Sequence, residues 1–327
     1  MKKATNLKTT CFERALFFSW YCSTGDCKFC YMSTQPKSNV KLARRTTESL
    51  LAEVILCKKL GWKLGFVSGG HSAYKTVEFL DLLNKIKKVQ EKKVWINIGA
   101  LKKSDLLLYK PYIKGVVASI ETINPMVHDF VCPSKPIKPF EKMLVEAKKL
   151  GLERGMTIIL GIGETLDDFE LLKKFIKRYG ITKIHIYGLN PQKGTIFENS
   201  PPPTVGYQSE WISKTRKAFP DIDIQAGIWL DRVNTVAQLL EAGANSISKF
   251  PALKSFGSPE AKEIEKQARL ADRKFLGTLT KLPEINWTKE VDKLKLDDAL
   301  KEKVKIKLNA YLKKMNSRKV DKAEFNM

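Results

Sequence analysis

The sequence predicts an α/β fold, a closed (β/α)8 barrel of the TIM type with a basic helical C-terminal appendage, on three observations. Eight short apolar runs alternate with helix-period segments from one end of the chain to the other;. The runs are continuously apolar and rich in Val, Ile and aromatic residues, as parallel strands buried on both faces are. With 327 residues, 43% of them hydrophobic, the chain is long for an ordinary domain and normal for a single barrel;. Residues 1–280 form the barrel in this reading and 281–327 the appendage. An open doubly wound sheet is the alternative. In both architectures ligands bind at the C-terminal ends of the strands, so functional residues follow the apolar runs.

The elements come in order. ALFFSW (15–20) is the first strand, followed by a helix over 47–59. LGFVS (64–68) and VWINIG (94–99) are the second and third strands, with helices near 76–88 and 102–109. GVVASIE (115–121) precedes the helix 138–150, where Phe140, Met143, Leu144, Ala147 and Leu150 line one face and Gly151 supplies the stop;. GMTIILG (155–161) precedes the helix 166–179, with Thr165 as N-cap and Gly180 as its end;. KIHIYGL (183–189), IDIQAGI (222–228) and SISKF (246–250) complete the strands, each with a helix after it, at 207–218, 231–242 and 258–274. The remainder, 283–327, reads as basic helix held by a Leu and Val stripe, with a frayed end;.

Charge and cysteine content narrow the function. Lys and Arg number 58 against 35 Asp and Glu, a net charge of +23 spread along the chain. Such a surface attracts anions, or is the solvated lysine cover of a Lys-rich proteome. No apolar run approaches the roughly 20 residues of a membrane span. The N-terminus begins basic and lacks a signal-like apolar core, so a cytoplasmic protein is expected, with no membrane partner. Six cysteines in such a chain point to metal or redox chemistry rather than a disulfide scaffold;.

Three of the six lie in WYCSTGDCKFCYMST (20–34), as Cys22, Cys27 and Cys30 in the loop after the first strand. Structural zinc takes four ligands, usually as two separated pairs, and His71 is the available fourth here. A [4Fe–4S] cluster has four irons, normally held by four thiolates. Three thiolates leave one iron free to bind something.

This triad resembles that of the radical S-adenosylmethionine superfamily, with four then two intervening residues where three then two is usual. Phe29, just before Cys30, fits the family's bulky residue there. Further likenesses follow the strands. Ser68, Gly69 and Gly70 in VSGGHS resemble the Gly-Gly-Glu segment that holds the methionine amino group, with His71 in place of the acid. Ser119 and Glu121 in ASIETINP alternate on one face, and Glu121 resembles the acid that accepts ribose hydroxyls. Gly161 and Gly163 in LGIGE resemble the segment packed against adenine. Leu189 and Asn190, with Pro191, Gly194 and Thr195, resemble the loop that closes over adenine and substrate. The resemblance spans roughly residues 12 to 255 and is nearest the biotin synthase, hydrogenase-maturase and pyrrolysine-biosynthesis branch.

The resemblance implies an enzyme. The open iron chelates S-adenosylmethionine, an electron arrives from a ferredoxin or flavodoxin, and hydrogen is abstracted from an unactivated carbon. VWINIGA and ERGMTII carry no cysteine where biotin synthase has its second-cluster ligands, which argues against biotin synthase itself. Cys57 reads as core, Cys11 as lying at the opposite barrel end, and Cys132 as an auxiliary or substrate-side residue beside His128 and Asp129. His185, on the sixth strand, reads as a core histidine. FFSWYCSTGDCKFCYMST and NSISKFPALKSFGS look like the two-protein lipoyl synthase of archaea, implying sulfur insertion into a protein-bound octanoyl chain, an acidic carrier protein and a second radical subunit. A small-substrate isomerase or methylase stays open. So do a non-catalytic cluster-bearing subunit and, as a different class, a zinc-containing nucleic-acid-binding protein, although nucleic acid is disfavoured because base-stacking aromatic platforms are missing.

Overall fold

The computed structural model describes residues 8–35 and 43–320. The basic start of the chain and the expected frayed end at 321–327 lie outside the described residues.

Eight parallel strands form one sheet in sequence order. They are β2 (Glu13–Phe17), β3 (Lys63–Ser68), β4 (Val94–Asn97), β5 (Ile113–Glu121), β6 (Glu153–Leu160), β7 (Lys183–Gly188), β8 (Asp223–Gly227) and β9 (Ser246–Ser248). Strands β2 and β9 meet through a single bridge, Phe12 to Ile247, so the barrel is nearly closed, with a seam between its first and last strands. A short strand β1 (Thr9–Cys11) pairs in parallel with β10 (Lys274–Leu276), outside the barrel sheet.

The helices lie where the 3.6-residue period puts them. They are α1 (Thr47–Leu60), α2 (Thr76–Gln90), α3 (Lys103–Tyr109), α5 (Ile137–Lys149), α6 (Phe169–Tyr179), α7 (Val205–Ala218), α8 (Val236–Glu241) and α9 (Pro259–Leu270). A short α4 (Pro125–Val131), capped by Asn124, stands in the loop after β5. Phe140, Met143, Leu144 and Ala147 of α5 are buried as their spacing requires, and Gly151 (φ 70°) ends the segment;. The segment expected as helix over 231–242 begins instead as a 3-10 turn, Leu230–Thr235, before α8. Likewise a 3-10 turn at Leu166–Asp168 precedes α6, and Asp168 accepts from the Thr165 N–H at 2.9 Å.

Beyond the barrel run α10 (Trp287–Asp292) and α11 (Asp298–Val320). Val304, Leu308, Leu312 and Met315 of α11 are buried, and Tyr311 shares a 2.9 Å hydrogen bond with Ser49 of α1. The long basic helix is thus stapled to the barrel by its apolar stripe. No helix among the described residues is long and apolar enough to cross a membrane.

The lumen is filled in layers. At its N-terminal end Glu13 is 1% exposed and accepts hydrogen bonds from Lys183 (3.0 Å), Gln225 (2.6 Å) and Ser246 (2.9 Å). Above it Trp95, Phe66 and Val117 pack with Ala15. Gly115 makes room for the indole: a Cβ there would lie 2.6 Å from the Trp95 ring. His185 is fully buried, with Nδ1 3.1 Å from the Met156 carbonyl and its ring edge-on to Phe66. Burial pushes its pKa down to about 3, so it stays neutral and acts as core;. Above this floor a cavity opens at the C-terminal mouth.

Candidate active site

The mouth holds a cavity of about 410 Å³. The loop after β2 contributes Cys22, Cys27, Phe29 and Cys30 to its wall, and the end of β3 contributes Ser68, Gly69, Gly70 and His71. Asn97, Ser119, Glu121, Thr157, Ile159, Tyr187 and Lys249 follow from successive strand ends. The spacing rule, chemistry after the strands, thus brings the triad and the motifs after the second and fourth barrel strands together.

The cysteine loop is shaped by its own backbone and by its neighbour. Cys30 N–H donates to the Cys27 carbonyl at 3.0 Å, Ser33 N–H to the Cys30 carbonyl at 2.9 Å, and Lys28 N–H to the Val131 carbonyl at 2.9 Å. Ser23 N–H reaches the His71 carbonyl at 3.0 Å, and His71 N–H points at Cys22 Sγ, 3.4 Å away. Gly70 lies directly under this loop: a Cβ there would stand 1.8 Å from the Tyr21 carbonyl oxygen. Gly69 is pressed on Phe18 in the same way. The glycine pair therefore has a packing role in seating the cysteines. Gly70→Ala is expected to cost about 1–3 kcal/mol by overpacking and to displace the loop. Iron retained after anaerobic reconstitution should fall well below that of the unaltered chain, and equal iron would contradict this seating role.

The polar wall is interlinked. Asn97 joins two predicted residues: Ser68 Oγ donates to its carbonyl (2.9 Å) and Ser119 Oγ to its side-chain oxygen (2.7 Å). Glu121 has a left-handed backbone (φ 64°) and accepts from Lys135 Nζ at 2.6 Å. Burial works against the Lys135 charge, but Glu121, by charge and hydrogen bond, together with the neighbouring Cys132 and Cys27 outweighs it and raises the lysine's pKa. Thr157 Oγ1 is buried at the wall without a hydrogen-bond partner. Lys249, just after β9, is held at φ 71° with Nζ 4.4 Å from the Tyr187 ring centre; burial lowers its pKa, opposed by Glu121.

Several expected residues lie elsewhere. Cys132 is 1% exposed and packs with Val131, Ile162 and Leu189 against Cys27 and Phe29, behind the cavity wall rather than on it. Its thiol hydrogen-bonds to Cys27 and holds that thiol below the ordinary range, against the effect of burial. Burial pushes Cys30 up to about 11. His128 does not touch the cavity either. It is fully buried, with Nδ1 2.8 Å from the Ile120 carbonyl and Nε2 2.7 Å from the Lys135 carbonyl, so it ties the loop bearing Lys135 to β5. Asp129 is exposed. Gly161 and Gly163 (φ 90° and 121°) form a turn closed by Glu164, which accepts from the Gly161 and Ile162 N–H groups at 2.7 and 3.0 Å. They border neither large cavity. Leu189 and Asn190 line a second cavity of about 430 Å³ at the barrel seam. Cys57 is core and Cys11 lies in β1, away from the mouth.

Asn97, Lys135, Thr157 and Lys249 were not singled out by sequence reasoning. A polar residue ending the apolar run VWIN and a lysine directly after SIS were the available signals.

The donor set suits a cluster better than a single ion. Among the described residues no three His, Cys, Asp or Glu side chains gather as single-ion ligands would. His71 Nδ1 is engaged with the Ser23 and Ser72 hydroxyls at 2.9 and 3.0 Å, and no Cys3His group is gathered among the described residues. An iron–sulfur cluster spreads its thiolates, one to each iron, and three cysteines on one cavity wall fit that.

Comparison with known proteins agrees. Residues 20–176 match the Radical SAM superfamily model. The chain is 42% identical over 289 residues to an uncharacterized protein of Methanocaldococcus jannaschii, covering 87% of this chain and 80% of that one. It is 24% identical over 247 residues to a biotin synthase of Thermotoga neapolitana, covering 71% of this chain and 80% of the relative. Methylornithine synthase shares the fold, with a TM-score of 0.65 at 20% identity over 75% of this chain and 73% of that one. The cysteine loop, the glycine pair and Glu121 all fall inside the matched segment, and this chain belongs to the radical SAM superfamily.

Proposed function

We propose that Cys22, Cys27 and Cys30 hold a [4Fe–4S] cluster whose open iron binds S-adenosylmethionine, and that the enzyme abstracts hydrogen from an unactivated substrate carbon. The observation that carries this reading is that all three cysteines line one cavity, which also holds a linked polar group of Ser68, Asn97, Ser119, Glu121 and Lys135 on an otherwise apolar wall. When bound, the cluster and S-adenosylmethionine supply one-electron cleavage of the sulfonium and hydrogen-atom abstraction.

The chain's own residues position and shield. Gly69 and Gly70 seat the cysteine loop and bring the β3 backbone to the cavity. Asn97 fixes the rotamers of Ser68 and Ser119, two groups available to an amino acid or a ribose. Lys135 holds the Glu121 side chain in place by a charge-assisted hydrogen bond, and the remaining carboxyl acceptor positions are available to hydroxyls;. Phe29, Met32, Ile159 and Tyr187 line the cavity with apolar surface and limit water;.

The finer reading is sulfur insertion into a protein-bound octanoyl chain in the cytoplasm, with a ferredoxin or flavodoxin as electron donor, an acidic carrier protein and a second radical SAM subunit. The net charge of +23 suits an acidic carrier;. The seam cavity, bordered by Phe12, Phe17, Trp20, Met32, Leu189 and Trp229, suits an alkyl chain. Cys11, Cys57 and Cys132 do not share a site, so sulfur would come from the partner subunit. Incubating the reconstituted chain with octanoylated carrier domain, reductant and S-adenosylmethionine, with and without that partner, tests this. The expected result is deoxyadenosine with a carrier mass gain from added sulfur, dependent on the partner. Deoxyadenosine with unchanged carrier would instead favour a small-substrate isomerase or methylase.

A further inference from the structure

From Lys249 and the seam cavity, we infer that the substrate is an aliphatic carboxylate, its apolar body lodged between the first and last barrel strands and its carboxylate paired with the Lys249 ammonium. The inference rests on the mouth being the reaction chamber; because a carrier-bound octanoyl chain has no free carboxylate, it favours the small-substrate reading of that chamber over sulfur insertion on a carrier.

The barrel ladder stops at the Phe12–Ile247 bridge. Glu13 bonds to lumen residues while Arg14 pairs outward with Glu53 of α1, so alternate β2 side chains face opposite ways;. Arg14 and, from the same strand, Ala15 and Phe17 border the seam cavity. The cavity therefore runs through the wall of the barrel, an opening for a long, thin body. Its volume of about 430 Å³ is within the range of small-ligand sites;.

Two cations border it. Arg14 is committed to Glu53. Among the described residues Lys249 has no carboxylate, hydroxyl or carbonyl partner; its Nζ lies over the faces of Tyr187 and Trp229, 4.4 and 5.8 Å from the ring centres. Ring faces attract the charge but accept no conventional hydrogen bond, so the three ammonium donors remain available. The nearby carboxylate, Glu121, is already taken by Lys135. An ammonium held in a largely apolar cavity without a counter-charge is costly, and an incoming carboxylate relieves that cost. The backbone supports a functional placement: a lysine at φ 71° is strained, and here the strain sets the side chain at the junction of the two cavities;. Cys30 borders the same two cavities, so the anchored end lies in the space the cysteine loop opens on.

Calorimetric titration of the anaerobically reconstituted full chain with octanoate, octanamide and S-adenosylmethionine tests this. Octanoate is expected to bind about tenfold or more tightly than octanamide, the margin of one charge-assisted hydrogen bond. Lys249→Met should remove that preference, Lys249→Arg should keep it, and S-adenosylmethionine affinity should not change. Equal binding of octanoate and octanamide by the unaltered chain overturns the inference whatever the variants do. Equal losses of octanoate and S-adenosylmethionine in Lys249→Met also overturn it, because the anion would then be the cofactor's carboxylate. Binding is read without turnover, so failure here and failure of the radical chemistry are separate results.

Discussion

Replacing Glu13 with alanine is expected to destabilise the barrel by about 3–5 kcal/mol, the cost of removing one partner of a buried ion pair. Glu13 sits on β2 and Lys183 on β7, with their charges 2.9 Å apart and both side chains at most 5% exposed. The ammonium would keep only Asp223, at 2.8 Å, whose own side chain is 37% exposed. Gln225 and Ser246 would each lose their acceptor as well. Burial alone would raise the Glu13 pKa, but Lys183, by charge and hydrogen bond, together with Lys63 outweighs it and holds the carboxyl at about 2. A carboxyl that titrates lower in the folded than in the unfolded chain stabilises fully above the unfolded value. That contribution is lost as pH falls from about 4.5 toward about 2. Urea midpoints at pH 7 and across that acid window check both points. The variant should unfold at lower urea at pH 7, and its deficit should shrink as acid is added. A pH-independent deficit would mean that Glu13 acts through packing and not through its charge.

Cys30→Ala is expected to abolish cleavage of S-adenosylmethionine, whereas Cys132→Ala is expected to leave the cluster in place. Both cysteines lie near Cys27 in space, but only Cys30 opens on the cavity. Removing Cys30 leaves two loop thiolates for a cluster that has about four irons. Removing Cys132 takes away a small buried side chain that hydrogen-bonds to Cys27. Iron and sulfide assays after reconstitution, with deoxyadenosine measured by chromatography, distinguish the two variants. Iron loss in Cys132→Ala as complete as in Cys30→Ala would make Cys132 a fourth ligand, and no iron would then be open.

The barrel itself was legible because its strands are continuous apolar runs and its helices keep one apolar face, both local signals. The pairing of β1 with β10 was not: each strand has three residues, and its partner lies at the other end of the barrel sequence. The start of β2 was hidden for a similar reason. A glutamate looks like a strand boundary until Lys183 and Gln225 are known to surround it. At the site, the triad was legible from its clustered thiols, and the glycine pair and Glu121 from their likeness to a known family's motifs at matching strand ends. Lys135 and Lys249 were lost among the 58 Lys and Arg of a basic chain. Cys132 and His128 misled in the opposite direction, since reactive side-chain types there serve packing and loop anchoring.

The most direct measurement is product analysis of the chain reconstituted with iron and sulfide, reduced without air and given S-adenosylmethionine. Methionine and 5′-deoxyadenosine should form in equal amounts, alone or once substrate or partner subunit is added. A chain that binds about four irons and yet releases neither product under any of these conditions would contradict the account.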